Sequence, residues 1–227
     1  MMKKIMLSIL TLFIGVAFAN GAFADGYYID DYAVNVEIDS KKTAKVTEEV
    51  YVHFFEPSQG FVKAIPYELT VKGKDGKTYK QKADITNVSV DDKFSTTKDE
   101  SKNVLMLTTG SPDEKVNDVR KYVIKYEYQM AGDGNKNADE IYFNLINTDM
   151  PVNINHASFG VNMPTPFDGK NIDVSIIKEG ENPSKNGIES GNNGQAVWGQ
   201  TLRVLNGNEG IGIGITLPEG YFEPDKK

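Results

Sequence analysis

An all-β fold, an antiparallel β-sandwich built as one body or as two β lobes, is what this sequence predicts for residues 25–223. Three observations predict it. Apolar residues recur at every second position in five stretches, turn-forming residues separate those stretches, and no amphipathic segment of helical period reaches about 12 residues.

Residues 1–24 stand apart from that pattern. Lys3 and Lys4 precede an uncharged apolar run from Ile5 to Phe18, and a small-residue stretch ends in Ala22-Phe23-Ala24. This order is that of a secretory signal peptide cleaved after Ala24. The apolar run has 14 residues, short of the roughly 20 a membrane-spanning helix needs. A bacterial-type exported protein is therefore expected, secreted or held at the outer face of the cytoplasmic membrane or cell envelope. No later segment reaches transmembrane length, so the mature chain is expected to be soluble.

The strands follow in order. Tyr32, Val34, Val36 and Ile38 alternate with Ala33, Asn35 and Glu37, the period of a strand with one buried and one wet face. Ala44, Val46, Val50, Val52 and Phe54 share a face interrupted only by Glu48. Asp75-Gly76 sits between strand-like flanks as a hairpin turn does. Tyr122, Ile124, Tyr126, Tyr128 and Met130 lie opposite Lys121, Lys125, Glu127 and Gln129, and later come Ile172, Val174, Ile176 and then Ile211, Ile213, Ile215. Pro66, Pro112, Pro151, Pro164, Pro166 and Pro218 punctuate the chain. The segment from Glu179 to Gln195, rich in Gly, Asn, Ser and charge, reads as a long exposed loop. The preferred seam between lobes 25–150 and 151–223 is Met150-Pro151, and residues 224–227 form a short polar tail.

Composition excludes several function classes. Without Lys3 and Lys4 the chain carries 23 basic against 32 acidic residues, a formal charge of −9. No basic footprint for nucleic acid exists, and Arg120 and Arg203, the only arginines, leave little bidentate equipment for phosphate. With no cysteine, the fold relies on a packed core without disulfides, and thiolate metal sites and thiol nucleophiles are excluded. His53 and His156 are the only histidines and no G-x-S-x-G stretch occurs, so a histidine-based hydrolase has no support.

The most informative residue is Glu48, an acid on an apolar strand face, which must be paired, hydrogen-bonded or protonated there. It reads as a catalytic acid with Glu49 or a loop aspartate as partner, or, preferred, as a structural residue, either ion-paired with Lys63 as the expected partner or turned outward at a bulge. Asp133, Asn135, Asn137 and Asp139 space oxygen ligands as the start of a calcium loop does. Ala138 stands where that loop needs glycine and Asn144 where it needs glutamate, so a polar hairpin loop is the preferred reading and calcium the alternative. The alternating Gly210, Gly212 and Gly214 precede no helix, so they read as a flat strand face approached closely by another layer. Tyr27, Tyr28, Tyr32, Tyr51, Tyr126, Tyr128, Tyr142 and Trp198 read mainly as core, with an exposed aromatic row for sugars or peptides as the alternative. No cofactor is expected.

Several segments together resemble the exported N-terminal region of the bacterial family known as domain of unknown function 2207, a group of predicted membrane proteins. They are Ile29-Asp30-Asp31-Tyr32, Val46-Thr47-Glu48-Glu49-Val50, Gly60-Phe61-Val62-Lys63-Ala64-Ile65-Pro66, Tyr122-Val123-Ile124-Lys125-Tyr126, Asp139-Glu140-Ile141-Tyr142-Phe143-Asn144, Val161-Asn162-Met163-Pro164 and Leu217-Pro218-Glu219-Gly220-Tyr221-Phe222. The resemblance runs from Tyr28 to Phe222. It implies an acidic residue at Glu48 and a basic one at Lys63, where the family tends to carry arginine, and it places Phe143 where the family tends to carry tryptophan. Family members usually continue into transmembrane helices, whereas this sequence ends at Lys227. A shortened, secreted member and a longer protein whose anchoring part lies outside this sequence both fit. The function expected is a non-catalytic extracytoplasmic domain that binds a protein or cell-envelope partner through strand edges or loops. The alternatives are a carboxylate-based hydrolase of envelope glycans and a calcium-stabilised adhesion module.

Overall fold

The structure, a computed structural model, describes residues 26–72, 78–111, 113–131, 135 and 137–223. The signal-peptide stretch, the Asp75-Gly76 turn, Asp133 and the tail at 224–227 lie outside the described residues. Within them the chain forms strands β1 (Tyr27–Ile38), β2 (Thr43–Ser58), β3 (Val62–Pro66), β4 (Glu68–Lys72), β5 (Thr78–Val90), β6 (Phe94–Asp99), β7 (Val104–Thr109), β8 (Val116–Met130), β9 (Ala138–Ile146), β10 (Ile154–Asn162), β11 (Ile172–Lys178), β12 (Ile188–Asn192), β13 (Ala196–Thr201) and β14 (Glu209–Pro218), with one 3₁₀ turn at Gly169–Asn171. The expected all-β class is what the chain adopts.

An eight-stranded sheet runs in the order β12-β13-β10-β1-β2-β8-β5-β4, and two three-stranded sheets run β11-β14-β9 and β3-β7-β6. The alternation read from the sequence sets the faces. Tyr32, Val34, Val36 and Ile38 of β1 and Ala44, Val46, Val50, Val52 and Phe54 of β2 are buried, while Asn35 and Glu37 are exposed. Both small sheets meet this buried face: Phe61, just before β3, packs edge-on against Tyr122 of β8 at 5.0 Å, and Phe143 of β9 packs edge-on against Tyr128 of β8 at 5.2 Å. The result is a two-layer sandwich around a main hydrophobic cluster, with a smaller one formed by Leu69, Val71 and Tyr142.

Three features differ from the expected pattern. The large sheet is not wholly antiparallel, because β10 runs parallel to β1 in the register Val34↔Phe159. A bulge between Ile29 and Asp31 inserts Asp30 into β1. The extra residue keeps Ile29 and Tyr32 inward although they are three positions apart, and it brings Asp30 and Asp31 together at the partly exposed bulge. The stretch from Glu179 to Gln195 is not a plain loop: Ser184 bridges Ile176, and β12 pairs antiparallel with β13 at the sheet edge. Ladder hydrogen bonds there override the turn-like composition.

Strands from both sides of Met150-Pro151 share both layers. β10 pairs with β1 and β14 with β9, and Met150 is itself buried in the common cluster. The glycines of β14 lie at the centre of the β11-β14-β9 sheet, where a Cβ on Gly212 would stand 3.2 Å from the Ile177 side chain.

Candidate functional site

Glu48 lies on β2 with Val34 opposite it on β1 and Ile124 opposite it on β8. The diagonal inward neighbours are Tyr32, paired with Val50, and Tyr126, paired with Val46, close enough for long side chains to reach across. Tyr32 Oη donates to Glu48 Oε2 at 2.6 Å and Tyr126 Oη donates to Oε1 at 2.8 Å. Burial first, and then the neighbouring Glu48 charge, hold both phenols well above their ordinary pKa, so both remain donors.

The covering layer supplies the cation. Lys63 of β3 places Nζ 3.2 Å from Glu48 Oε2 and donates to Tyr32 Oη at 3.0 Å. The Lys63 side chain is 2% exposed and that of Glu48 0%. A charge pair this deep persists because both Glu48 oxygens are hydrogen-bonded.

Behind Lys63, the β9–β10 connection grips β3 through Ala64. Ala64 N–H donates to Asp149 Oδ2 at 2.6 Å, Asn147 Nδ2 donates to Ala64 C=O at 2.8 Å, and Asn144 Nδ2 donates to Asn147 Oδ1 at 3.0 Å. Burial raises the Asp149 pKa, opposed by the Lys63 charge and the Ala64 N–H. Its Oδ1 is buried with no hydrogen-bond partner among the described residues, which matches the raised pKa.

The sequence-predicted residues distribute as follows. Glu48 and Lys63 are in contact. Glu49 faces the other side of β2, where Lys121 Nζ lies 2.9 Å from its Oε2, so the two adjacent acids share no cleft. Asp139 turns to Lys42 Nζ at 3.3 Å and accepts from Phe222 N–H at 3.0 Å. Asn135 Oδ1 accepts from Asn137 N–H at 3.0 Å. Among the described residues no three His, Asp or Glu side chains come together as a metal-binding group. His53 and His156 lie on the outer face beside the β1 bulge, with Nδ1 of His156 2.5 Å from Asp31 Oδ1 and Nδ1 of His53 3.7 Å from Asp30 Oδ2.

Tyr32, Tyr126 and Asp149 complete the network without having been singled out as its members. The tyrosines were findable: each is an inward residue on a strand flanking the acid. Asp149 carried no such signal, since it lies in an irregular connection.

A closed ionic centre in an all-β sandwich defines a domain whose deepest ion pair among the described residues joins its two layers. The chain belongs to the family described as predicted membrane protein (DUF2207), N-terminal domain, whose model matches residues 28–216. No curated protein matches it. Among solved structures it is similar to an M1 zinc metallopeptidase from Deinococcus radiodurans, with a TM-score of 0.41 and 8% identity over 83% of this chain and 42% of that one. It is also similar to a Legionella pneumophila protein assigned as nutrient-binding, with a TM-score of 0.40 and 11% identity over 82% of this chain and 67% of that one. The chain thus spans less than half of the peptidase's length, and neither likeness carries an argument about function. Among the described residues no helix is long and apolar enough to cross a membrane, which says nothing of crossing with strands.

Proposed function

We propose that this chain is an exported, non-catalytic binding domain that works at the outer face of the cytoplasmic membrane or in the cell envelope. The observation that carries the reading is the closure of the Glu48 centre. Its carboxyl is fully buried and both oxygens are occupied by tyrosine hydroxyls, whereas a glycan hydrolase needs two acids roughly 5 to 10 Å apart in an open groove. The signal-peptide pattern of residues 1–24 supports export, and the family's description supports association with a membrane.

The test has two arms in a bacterial host. Fractionation with N-terminal sequencing is expected to find the chain outside the cytoplasm and beginning at Asp25. In-cell cross-linking is expected to join it to an envelope component. A cytoplasmic chain with residues 1–24 intact overturns export. Glycan turnover by the purified protein, lost in a folded Glu48→Gln variant, overturns the non-catalytic assignment.

A further inference from the structure

Trp198, the only tryptophan of the chain, is 47% exposed although it sits in the middle of β13, within an eight-stranded sheet. Its position in the register explains how it is held. Gly160 of β10 stands opposite it on one side and Gly191 of β12 on the other. A Cβ on Gly191 would lie 3.2 Å from Cε2 and Cζ2 and 3.3 Å from Nε1 of the indole. Three neighbouring ring atoms at one distance mean that the ring lies flat across the glycine. One indole face is thus supported by the Gly191 backbone, while 47% of the residue stays open to solvent.

The surroundings are polar. Two residue pairs along the ladder, on the same face, Gln200 faces Glu189 and donates from Nε2 to the glutamate's Oε1 at 2.6 Å. Its Oε1 stands 3.4 Å from His156 Nε2. Beyond Gly160 the Asn35 amide closes the flank, with Oδ1 3.3 Å from where a Gly160 Cβ would be. Glu189, Gly191, Trp198 and Gln200 also help to line an open cleft of about 590 Å³.

We infer that this Trp198 platform is a binding site for a neutral oligosaccharide, an inference that rests on the binding-domain reading above and names its ligand class. A pyranose ring has a face of C–H bonds whose positive edges suit the negative face of an indole, and a rim of hydroxyls. Around Trp198 the protein offers that complement: an isolated aromatic plane bordered by amide, carboxylate and imidazole groups that can donate to or accept from hydroxyls. A protein partner would call for apolar or aromatic contacts directly around the tryptophan, whereas its ladder neighbours are Gly160 and Gly191, with Gln200 and Glu189 next on that face, and the exposed Leu202 stands four residues further along the chain. An anionic lipid surface would call for lysine and arginine, whereas the mature sequence carries a net −9 and Glu189 borders the ring.

The single tryptophan makes the test direct, because all indole fluorescence reports on the site. The full-length protein is titrated with cellotetraose, chitotetraose, maltotetraose and mannotetraose, and each titration is repeated by calorimetry. At least one sugar is expected to shift the emission saturably. Trp198→Ala is expected to weaken that binding about tenfold or more and Gln200→Ala by about threefold, while Trp198→Tyr retains most of it. All three variants should unfold at the parent temperature, since Trp198 and Gln200 are exposed. No response to any of the four sugars, or unchanged affinity in Trp198→Ala, overturns the site. In that event envelope cross-linking repeated with Trp198→Ala keeps the two claims apart: a retained cross-link leaves the binding-domain reading standing without this glycan site.

Discussion

Lys63 Nζ and Glu48 Oε2 stand 3.2 Å apart, with the lysine on the small β3-β7-β6 sheet and the glutamate at the centre of the large one. The contact links two layers that share no ladder hydrogen bonds at that point, and it fixes where β3 lies over β1, β2 and β8. Removing one partner strands the other in the interior. Glu48→Gln is expected to cost about 3 to 5 kcal/mol and Lys63→Met a comparable amount. The double variant Glu48→Gln/Lys63→Met should lose less than the sum by about 1 kcal/mol or more, because the uncompensated ammonium is gone. Urea unfolding of the four proteins measures this, and strict additivity would show that the pair is not coupled.

Asp149 gives stability a pH dependence of definite sign. Its pKa is raised in the fold, by burial against the opposing Lys63 charge. Between the ordinary aspartate range and that raised value, the folded chain holds a proton that the unfolded chain has released. This contribution is therefore full at pH below the ordinary aspartate range and is lost as pH rises through the window. Asp149→Asn stays neutral throughout and can still accept from Ala64 N–H. Its stability relative to the parent should improve steadily as pH rises through the window, and parallel urea midpoints for the two proteins would count against a raised pKa.

The last described turn of the chain is held by a second buried contact set. Lys42 sits 5.2 Å over the Phe222 ring and 3.3 Å from Asp139, which also accepts from Phe222 N–H. Phe222 is 4% exposed. Phe222→Ala is expected to cost about 3 kcal/mol. Asp139→Asn, which keeps an acceptor for the N–H but loses the charge, should cost clearly less. Calorimetric melting of the two variants ranks them, and the reverse order would place the strength of the contact in the ion pair.

Gly60, in the turn before β3, separates steric clash from backbone strain. It has φ +120°, and a Cβ there would lie 2.2 Å from the Thr109 carbonyl oxygen. Gly180, at φ +73°, has nothing within 4 Å. Gly60→Ala should therefore destabilise by about 3 kcal/mol or more, while Gly180→Ala should cost only the left-handed conformation, about 1 kcal/mol. Equal losses in denaturant unfolding would mean that the Thr109 contact relaxes freely.

Faces were legible where alternation was strong. The inward sets of β1, β2 and β8 follow the two-residue period, and Glu48 was recognisable as an acid among them. Other features were not legible, for identifiable reasons. The parallel pairing of β10 with β1 left no trace because alternation encodes which face is buried and not which way the neighbour runs. β12 was hidden by its Gly, Asn and Ser content, which reads as loop until the β13 ladder is present. Of the aromatics read mainly as core, Tyr27, Tyr32, Tyr126, Tyr128 and Tyr142 are buried, but Tyr28 and Tyr51 are only half-buried and Trp198 is exposed.

By itself the sequence determined the all-β class, the inward faces of the principal strands, the family, and an acid that the interior had to satisfy. Those are local properties, since period, burial preference and charge belong to single strands. Tertiary structure alone decided that Tyr32 and Tyr126 converge on Glu48 from flanking strands, that Asp149 closes the network from a connection far along the chain, and that two glycines flank an outward tryptophan. Each of these depends on which strands become neighbours and in what register, and that is set by the closing of the sheets over one another.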